Sequence, residues 1–336
     1  MRILQRVKAL GETRRRERPR WPLLAKAATT LVLLTLLVWQ IDIAATLRAL
    51  RESDRLWLLV AVASTALMVL TSVRKWACLV RDLRLPVSTT ALARFYLVGV
   101  FASSFLPGIV GGDVVRWQLT ARRTARSVES AATILADRAI GVAAMVTCAL
   151  VAMAIEPRLA TLPVLVLVLG TVAALVGVTC LAVYRPLAVG AAWHTRRSPL
   201  RRILRPLYRL HREFRRFSRP ALLGSFGCAL LFYLSASLTF WLVLRSLGTG
   251  LGFGEAFATQ VVTNLLTLLP ISVGGLGLVQ AGDVYLLGLF GVGPAVSFAA
   301  SIVRQLLHYL WAVVGGVLLW GRDRGLRPGR ETFDPL

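Results

Sequence analysis

Long apolar runs separated by short polar stretches dominate the sequence of this chain. An α-helix needs about 20 apolar residues to cross the hydrocarbon core of a membrane. Six runs are long enough, and they predict the spans Pro22–Gln40, Leu56–Val73, Ala131–Ile155, Pro163–Tyr184, Ala221–Leu244 and Ala295–Trp320. Two further runs, Ala91–Leu106 and Phe257–Leu269, are shorter and predict half-helices. With 56% hydrophobic residues, the chain is expected to be an integral membrane protein.

Both short runs end in the same pattern, Leu-Pro-x-x-Val-Gly-Gly. Proline ends a helix, and the paired glycines then allow backbone shapes that other residues avoid. Such a break within a membrane is tolerated only where it is buried in protein or lines a polar cavity. We therefore expect two re-entrant hairpins whose turns shape a binding site near the middle of the membrane. The turn residues are Pro107, Gly111, Gly112, Pro270, Gly274 and Gly275.

The net charge of +24 would suit a nucleic-acid-binding protein, but the positions of the charges argue against one. Nine Lys and Arg residues lie between Arg2 and Lys26, and eleven Arg residues lie between Arg185 and Arg219. The loops predicted on the opposite side of the membrane are nearly neutral. This asymmetry indicates a multi-pass protein with both termini in the cytoplasm, and no nucleic-acid partner.

The charge pattern also predicts an inverted repeat. The fold class is an all-α polytopic membrane protein, with about six full transmembrane helices and two re-entrant hairpins of opposite orientation. We predict a basic N-terminus over 1–21, a transmembrane domain over 22–320 and a basic tail over 321–336. The first half covers about 22–155, the second about 163–320, and the connector 185–219 is rich in Arg. The connector is either an amphipathic helix on the membrane surface or a solvated linker.

Five charged residues in or beside the apolar runs are candidate site residues. Arg304 lies about ten residues into its span, and therefore ~14 Å deep. An ionisable group at that depth costs at least ~2.5 kcal/mol, so it predicts either a phosphate contact or an internal ion pair. Arg138 and Arg116 are the other predicted phosphate ligands, and Asp113 and Asp137 are expected to balance them. Asp113 has the alternative role of capping the helix that begins at the glycine pair.

Three polar residues complete the predicted site. His308 lies one turn after Arg304 and is a third candidate for charge balance or coupling. Gln260 and Asn264, one turn apart, are expected to line the path of the lipid headgroup. We predict no catalytic residue, metal or cofactor, because the sequence lacks the spacings that such sites require. A membrane-embedded transferase that uses Asp113 or Asp137 as a base is the minor alternative.

The stretch from Phe105 to Arg116, Phe-Leu-Pro-Gly-Ile-Val-Gly-Gly-Asp-Val-Val-Arg, resembles a signature of the lysylphosphatidylglycerol synthase transmembrane region, or flippase-like domain family. The stretches Asp137-Arg138-x-x-Gly141 and Leu269–Gly277 resemble two further motifs of that family, and the likeness runs from about Trp21 to Trp320. One departure is that Val279-Gln280 stands where the family usually has Arg-Glu. That departure leaves open whether the lipid substrate or the transport activity differs.

The resemblance implies a bacterial or archaeal cytoplasmic-membrane protein related to a module that moves aminoacylated phosphatidylglycerol between leaflets. Without a soluble synthase domain in the sequence, lipid aminoacylation is not expected. The function predicted is translocation of an anionic phospholipid or a polyprenyl-phosphate-linked lipid. The alternative is a non-transporting membrane partner of a glycosyltransferase or another envelope-lipid enzyme.

Overall fold

The computed structural model describes residues 42–105, 111–159, 161, 164–174, 209–269 and 275–325. Over these ranges the regular structure is helical, and no strand occurs. Ten helices are labelled in chain order. They are α1 Ile43–Arg51, α2 Arg55–Asp82, α3 Thr89–Phe105, α4 Gly111–Thr124, α5 Ser127–Ile155, α6 Val164–Ala174, α7 Arg219–Ser246, α8 Phe253–Leu266, α9 Leu278–Leu289 and α10 Pro294–Gly325. A 3₁₀ turn, Pro157–Leu159, and a short helical segment over 209–214 complete the described part.

Four of the described helices, α2, α5, α7 and α10, are long and apolar enough to cross a membrane. They confirm the second, third, fifth and sixth predicted spans, and the polytopic helical fold class. The helix α2 is longer than its apolar run because it continues through Arg and Lys residues to Asp82. The first predicted span lies outside the described residues. Of the fourth, only α6 is described, as a shorter apolar helix.

The two half-helices are also present, as α3 and α8, and each ends at the proline–glycine break. The helix α8 is buried along most of its length, with Ala256, Val261 and Leu265 fully enclosed by neighbouring helices. Protein rather than lipid therefore surrounds this short helix, as a helix interrupted within a membrane requires. The helix α1, which the sequence pattern did not predict, begins with Asp42 as its N-cap and packs beside α10.

The helices α2 and α7 lie side by side and antiparallel. The Asp54 amide donates to the Ser246 carbonyl at 2.7 Å, which joins the start of α2 to the end of α7. At the opposite ends, the Asp82 carboxylate accepts hydrogen bonds from the amide and the hydroxyl of Ser218, at 2.8 and 2.7 Å. Ser218 also caps α7, accepting a bond from an amide of its first turn. The two helices therefore run along each other for their whole length.

The order of elements after these two helices is the same in both halves. In each half a long helix is followed by a half-helix, a proline–glycine break, a helix and a second long helix. The half-helix α3 packs on α10, and the half-helix α8 packs on α5, so each half-helix contacts the last long helix of the other half. Antiparallel packing of the equivalent helices α2 and α7 is the arrangement that an inverted repeat requires. These relationships support the predicted inverted repeat.

Glycines bring the helices of each hairpin close together. A Cβ atom on Gly112 of α4 would overlap the carbonyl of Gly99 and the hydroxyl of Ser103 on α3. A Cβ on Gly99 would lie 2.7 Å from the Arg116 side chain. The second hairpin has a similar close approach, where a Cβ on Gly282 would meet the Thr263 side chain at 3.1 Å. Because glycine has no side chain, the two helices of each hairpin lie close enough for polar residues of one helix to contact the other.

Candidate functional site

Five charged side chains from α2, α4 and α5 meet inside the first half, and we name them the first cluster. The Arg138 guanidinium makes a bidentate contact with Asp113, with Nε–Oδ2 and Nη2–Oδ1 distances of 2.5 and 2.9 Å. Arg116 lies between the two carboxylates, 3.4 Å from Asp113 and 3.2 Å from Asp137. The Lys75 ammonium contacts Asp137 Oδ1 at 3.1 Å. The first cluster comprises Lys75, Asp113, Arg116, Asp137 and Arg138.

Arg116 is held on several sides. Its guanidinium lies over the Trp76 ring at 4.2 Å and 5.5 Å from the Tyr96 ring centroid. The closely packed Gly99 of α3 lies against its aliphatic carbons. Its Nε is buried and has no hydrogen-bond partner among the described residues. The residue therefore retains a free donor although both of its terminal nitrogens contact carboxylates.

The side chains of the first cluster differ in how exposed they are, and together they carry a formal charge of +1. Arg116 and Asp137 are nearly inaccessible, whereas half of the Arg138 side chain is exposed. Three cations face two carboxylates, and a cation without a counter-ion is costly in an apolar medium. An anion placed beside Arg138 would complete the charge balance. The arrangement is thus suited to receive one negative group at its exposed edge.

A second, smaller cluster lies in the other half, where Arg304 of α10 pairs with the fully buried Asp283 of α9. The guanidinium also donates to Gln260 Oε1 at 2.6 Å and to Thr263 Oγ1 at 3.4 Å, both on α8. The Phe240 ring of α7 lies 4.9 Å from the same guanidinium. We name Gln260, Thr263, Asp283 and Arg304 the second cluster. Its formal charge is zero, because it has one cation and one carboxylate.

The two clusters occupy equivalent elements. In each half, an arginine of the last long helix pairs with an aspartate of the helix that follows the proline–glycine break. Arg138 is eleven residues into α5 and Arg304 ten residues into α10, so each lies about 15 Å along its helix. If the two helices enter the membrane from opposite sides, both arginines lie near its middle.

The structure brings together most of the polar residues that the sequence singled out. Asp113, Arg116, Asp137 and Arg138 share the first cluster, and Arg304 contacts Gln260. Asp137 and the adjacent Arg138 have different partners, as their angular separation on a helix predicts. Asn264 lies at the edge of the second cluster, where its Oδ1 is 3.5 Å from Gln260 Nε2. The functional roles assigned to these residues stay predictions.

Other predicted residues lie elsewhere. The His308 side chain is exposed, with its ring 6.0 Å from that of Tyr309, and it takes part in none of the ion pairs between described residues. Gly111, Gly112 and Gly275 are described, and Gly275 has a φ of 80°, which favours glycine. Pro107, Pro270 and Gly274 lie outside the described residues.

Sequence reasoning missed three participants. Lys75 was not among the candidate residues, although it contacts both the carboxylate and the backbone carbonyl of Asp137. Asp283 was not among the candidate residues either, although it pairs with Arg304. Thr263 lies on the same helical face as Gln260, so the spacing of polar residues in α8 was an available signal. In the described ranges, no three His, Cys, Asp or Glu side chains converge as a metal site would need.

Two comparisons bear on this site. The chain matches the family described as the lysylphosphatidylglycerol synthase TM region over residues 23–316. It is also similar to a UPF0104 membrane protein of Methanothermobacter thermautotrophicus, with 23% identity over 286 residues. That alignment covers 79% of this chain and 84% of the relative. The family match includes all residues of both clusters.

Proposed function

Because the chain belongs to the lysylphosphatidylglycerol synthase TM region family, we propose that it translocates an anionic lipid across the cytoplasmic membrane. The substrate is a phospholipid or a polyprenyl-phosphate-linked lipid, and both termini of the protein lie in the cytoplasm. The observation that carries the proposal is the repeated Arg–Asp pair, which occurs beside the proline–glycine break in each half.

Arginine suits the proposed ligand, because its planar guanidinium can bind two phosphate oxygens at once. Arg138 is the accessible member of the first cluster, and a phosphate would compete with Asp113 for its two donors. Arg116 lies behind it with an unused Nε donor. Asp113 and Asp137 hold these cations in place while no lipid is bound. The headgroup then passes to Arg304, beside which Gln260 and Asn264 supply neutral polar groups.

The test is the exchange of fluorescent lipids between leaflets in proteoliposomes. Separate vesicles carry labelled phosphatidylglycerol and a labelled polyprenyl phosphate, and a membrane-impermeant quencher reports the outer leaflet. We expect the native protein to accelerate exchange of at least one probe and Arg304→Gln to lose that acceleration. Arg94→Gln is the matched control, because Arg94 is an exposed arginine of the half-helix α3. Exchange by the Arg304 variant at the native rate would contradict the assignment of that residue.

The Arg-rich connector supports a second candidate function, that of a non-transporting partner for an envelope-lipid enzyme. At the described end of this connector, Leu210 and Phe214 pack against the core of the first half. Arg209, Arg212 and Arg215 remain exposed on the other side of the same segment. If folded protein exchanges neither lipid, binding of a partner enzyme by this surface becomes the better-supported function. Replacing the exposed arginines by glutamine would then abolish the cellular function, whereas Arg304→Gln would not.

A further inference from the structure

We propose that Asp283 binds a proton, and that this proton crosses the membrane together with the phosphate of each transported lipid. The inference rests on the proposed function and adds a coupling ion to it. A proton would bind to one carboxylate oxygen of Asp283 and convert the second cluster from neutral to singly positive. No covalent bond of the lipid is made or broken.

The geometry around Asp283 leaves a place for the proton. The side chain is completely buried, and Oδ2 faces Arg304. The other oxygen, Oδ1, is also buried and has no hydrogen-bond partner among the described residues. The buried Ser301 hydroxyl lies within hydrogen-bonding reach of the same carboxylate. A hydroxyl can donate a hydrogen bond to an ionised oxygen or accept one from a protonated oxygen, so Ser301 can partner the carboxylate in both states.

Charge balance explains why the proton would accompany the lipid. When Asp283 is ionised, Arg304 is already neutralised, and an arriving phosphate would add an uncompensated negative charge inside the protein. Such a charge is strongly disfavoured in a medium of low dielectric constant. When Asp283 is protonated, the positive Arg304 can neutralise a singly charged phosphate. Binding of one proton and one phosphate charge therefore keeps the second cluster electrically neutral.

Arg304 does not depend on Asp283 alone for its position. Gln260 accepts a hydrogen bond from Nη1 at 2.6 Å, and the Phe240 ring lies beneath the guanidinium. These neutral contacts would persist after protonation of the carboxylate. The arginine would thus stay oriented while its Nη2 donor, which contacts Asp283 in the unprotonated state, turned to the phosphate.

Few other charges face Asp283. The helix α9 packs against α8, α10 and the turn Pro157–Leu159. From α8 the facing groups are the neutral Gln260 and Thr263, and from α10 the charged group is Arg304. Arg158 of the turn is exposed, and so is His308 of α10. Titration of Asp283 is therefore coupled mainly to Arg304 among the described residues.

The carboxylates of the first cluster have more cationic neighbours than Asp283 has. Each of these carboxylates contacts two cations, Asp113 with Arg116 and Arg138, and Asp137 with Lys75 and Arg116. With three cations and two carboxylates, the first cluster carries a formal charge of +1 before any ligand binds. The first cluster can thus accept a phosphate without a proton, whereas the second cluster requires one. This difference between the halves identifies Asp283, rather than Asp113 or Asp137, as the proton site.

The experiment uses proteoliposomes of the full chain containing the labelled lipid that the native protein exchanges. We expect exchange to slow as pH rises, by up to about tenfold per pH unit, as for a single titrating group. We also expect an imposed pH gradient to accumulate the lipid in one leaflet. Asp283→Asn mimics the protonated state, so it should exchange lipid at a rate independent of pH and should not accumulate it. Glu52→Gln, which changes an exposed carboxylate of the loop after α1, should retain both native behaviours.

Native exchange that neither depends on pH nor responds to a pH gradient would overturn the inference and leave the proposed function intact. Retention of lipid accumulation by Asp283→Asn would also overturn it. If Asp283→Asn fails to fold, the pH dependence of lipid exchange by the native protein still tests the proposal. A pH-sensitive dye inside the vesicles reports whether protons enter with the lipid. Absence of exchange at every pH would instead contradict the proposed function itself.

Discussion

The guanidinium of Arg138 forms two hydrogen bonds with the carboxylate of Asp113, at 2.5 and 2.9 Å, across the junction between α4 and α5. Half of the Arg138 side chain is exposed, whereas Asp113 is largely covered. Arg138 can therefore reach an incoming ligand, and Asp113 can hold Arg138 in position while no ligand is bound. Arg304 and Asp283 repeat the pairing in the second half, but there both members are enclosed.

The bidentate geometry makes Arg138 sensitive to replacement by lysine. Arg138→Lys retains the charge but offers only a point donor in place of two fixed N–H groups. We expect lipid exchange to slow by about fivefold, equivalent to about 1 kcal/mol for one weakened and partly exposed hydrogen bond. The proteoliposome assay measures this rate. Arg126→Lys, an exposed position at the start of α5, is the matched control, and equal rates for the two variants would refute the prediction.

The buried part of the first cluster should contribute to stability. Asp137→Asn removes the carboxylate that faces both Lys75 and Arg116, and it leaves the buried Arg116 and the partly buried Lys75 with less compensation. Breaking a buried pair in this way typically costs about 3–5 kcal/mol. We expect a marked fall in the melting temperature of the detergent-solubilised protein, measured by loss of tryptophan fluorescence or by thermal aggregation.

A compensating change separates this electrostatic cause from a general packing defect. Lys75→Met removes one of the two cations and keeps an unbranched side chain of similar length. In combination with Asp137→Asn it should therefore recover part of the lost melting temperature. If the double variant is no more stable than Asp137→Asn alone, excess positive charge is not the source of the instability.

The helical architecture could be predicted from the sequence because each apolar run carries its own signal. Hydrophobic length predicted three of the four described spans closely, whereas α2 continues past Val73 to Asp82. The two proline–glycine breaks ended α3 and α8 where expected. Helix α1 was missed because its nine residues are far fewer than the roughly 20 that a membrane span needs, and Arg48 and Arg51 lie among them.

The site was less predictable than the fold, because its residues meet across long separations in sequence. Asp113 and Arg116 are three residues apart, a spacing that places them on one helical face, and the two side chains are in contact. No local pattern connects Lys75 with Asp137, however, which are 62 residues apart. Asp283 was equally hidden, because its importance arises from burial against Arg304 rather than from its neighbours in the chain.

The close approach of α3 and α4 predicts a strict requirement for glycine at position 112. A methyl group at Gly112 would overlap backbone and side-chain atoms of α3, so one helix must shift. We expect Gly112→Ala to cost about 1–3 kcal/mol and to displace Arg116, which lies one turn later. The melting temperature and the exchange rate measure the two effects. Gly227→Ala on α7 should be neutral or slightly stabilising, because a Cβ there meets no atom within 4 Å.

The antiparallel packing of α2 and α7 predicts which residues can be cross-linked. The hydroxyls of Ser64 and Thr239 lie 2.8 Å apart in the middle of the two helices. In a background without the native cysteines, Ser64→Cys with Thr239→Cys should therefore form a disulfide on mild oxidation, detected by a mobility shift in a non-reducing gel. Ser64→Cys with Leu231→Cys is the control pair, because Leu231 is an exposed residue of α7 two turns away. Equal cross-linking of both pairs would mean that the cysteines meet by collision rather than in a fixed interface.

The same two helices provide a test of orientation in the membrane. The charge asymmetry places the start of α2 outside and the start of α7 inside, as an inverted repeat requires. A membrane-impermeant maleimide added to intact cells should label Glu52→Cys but not Arg219→Cys, and both positions are exposed at the helix ends. Permeabilised cells should show labelling at both positions, which confirms that each cysteine is reactive. Labelling of both in intact cells would place the two ends on one side of the membrane. That result cannot be reconciled with helices that run antiparallel from end to end, so it would exclude the inverted repeat together with the proposed midplane position of the two arginines.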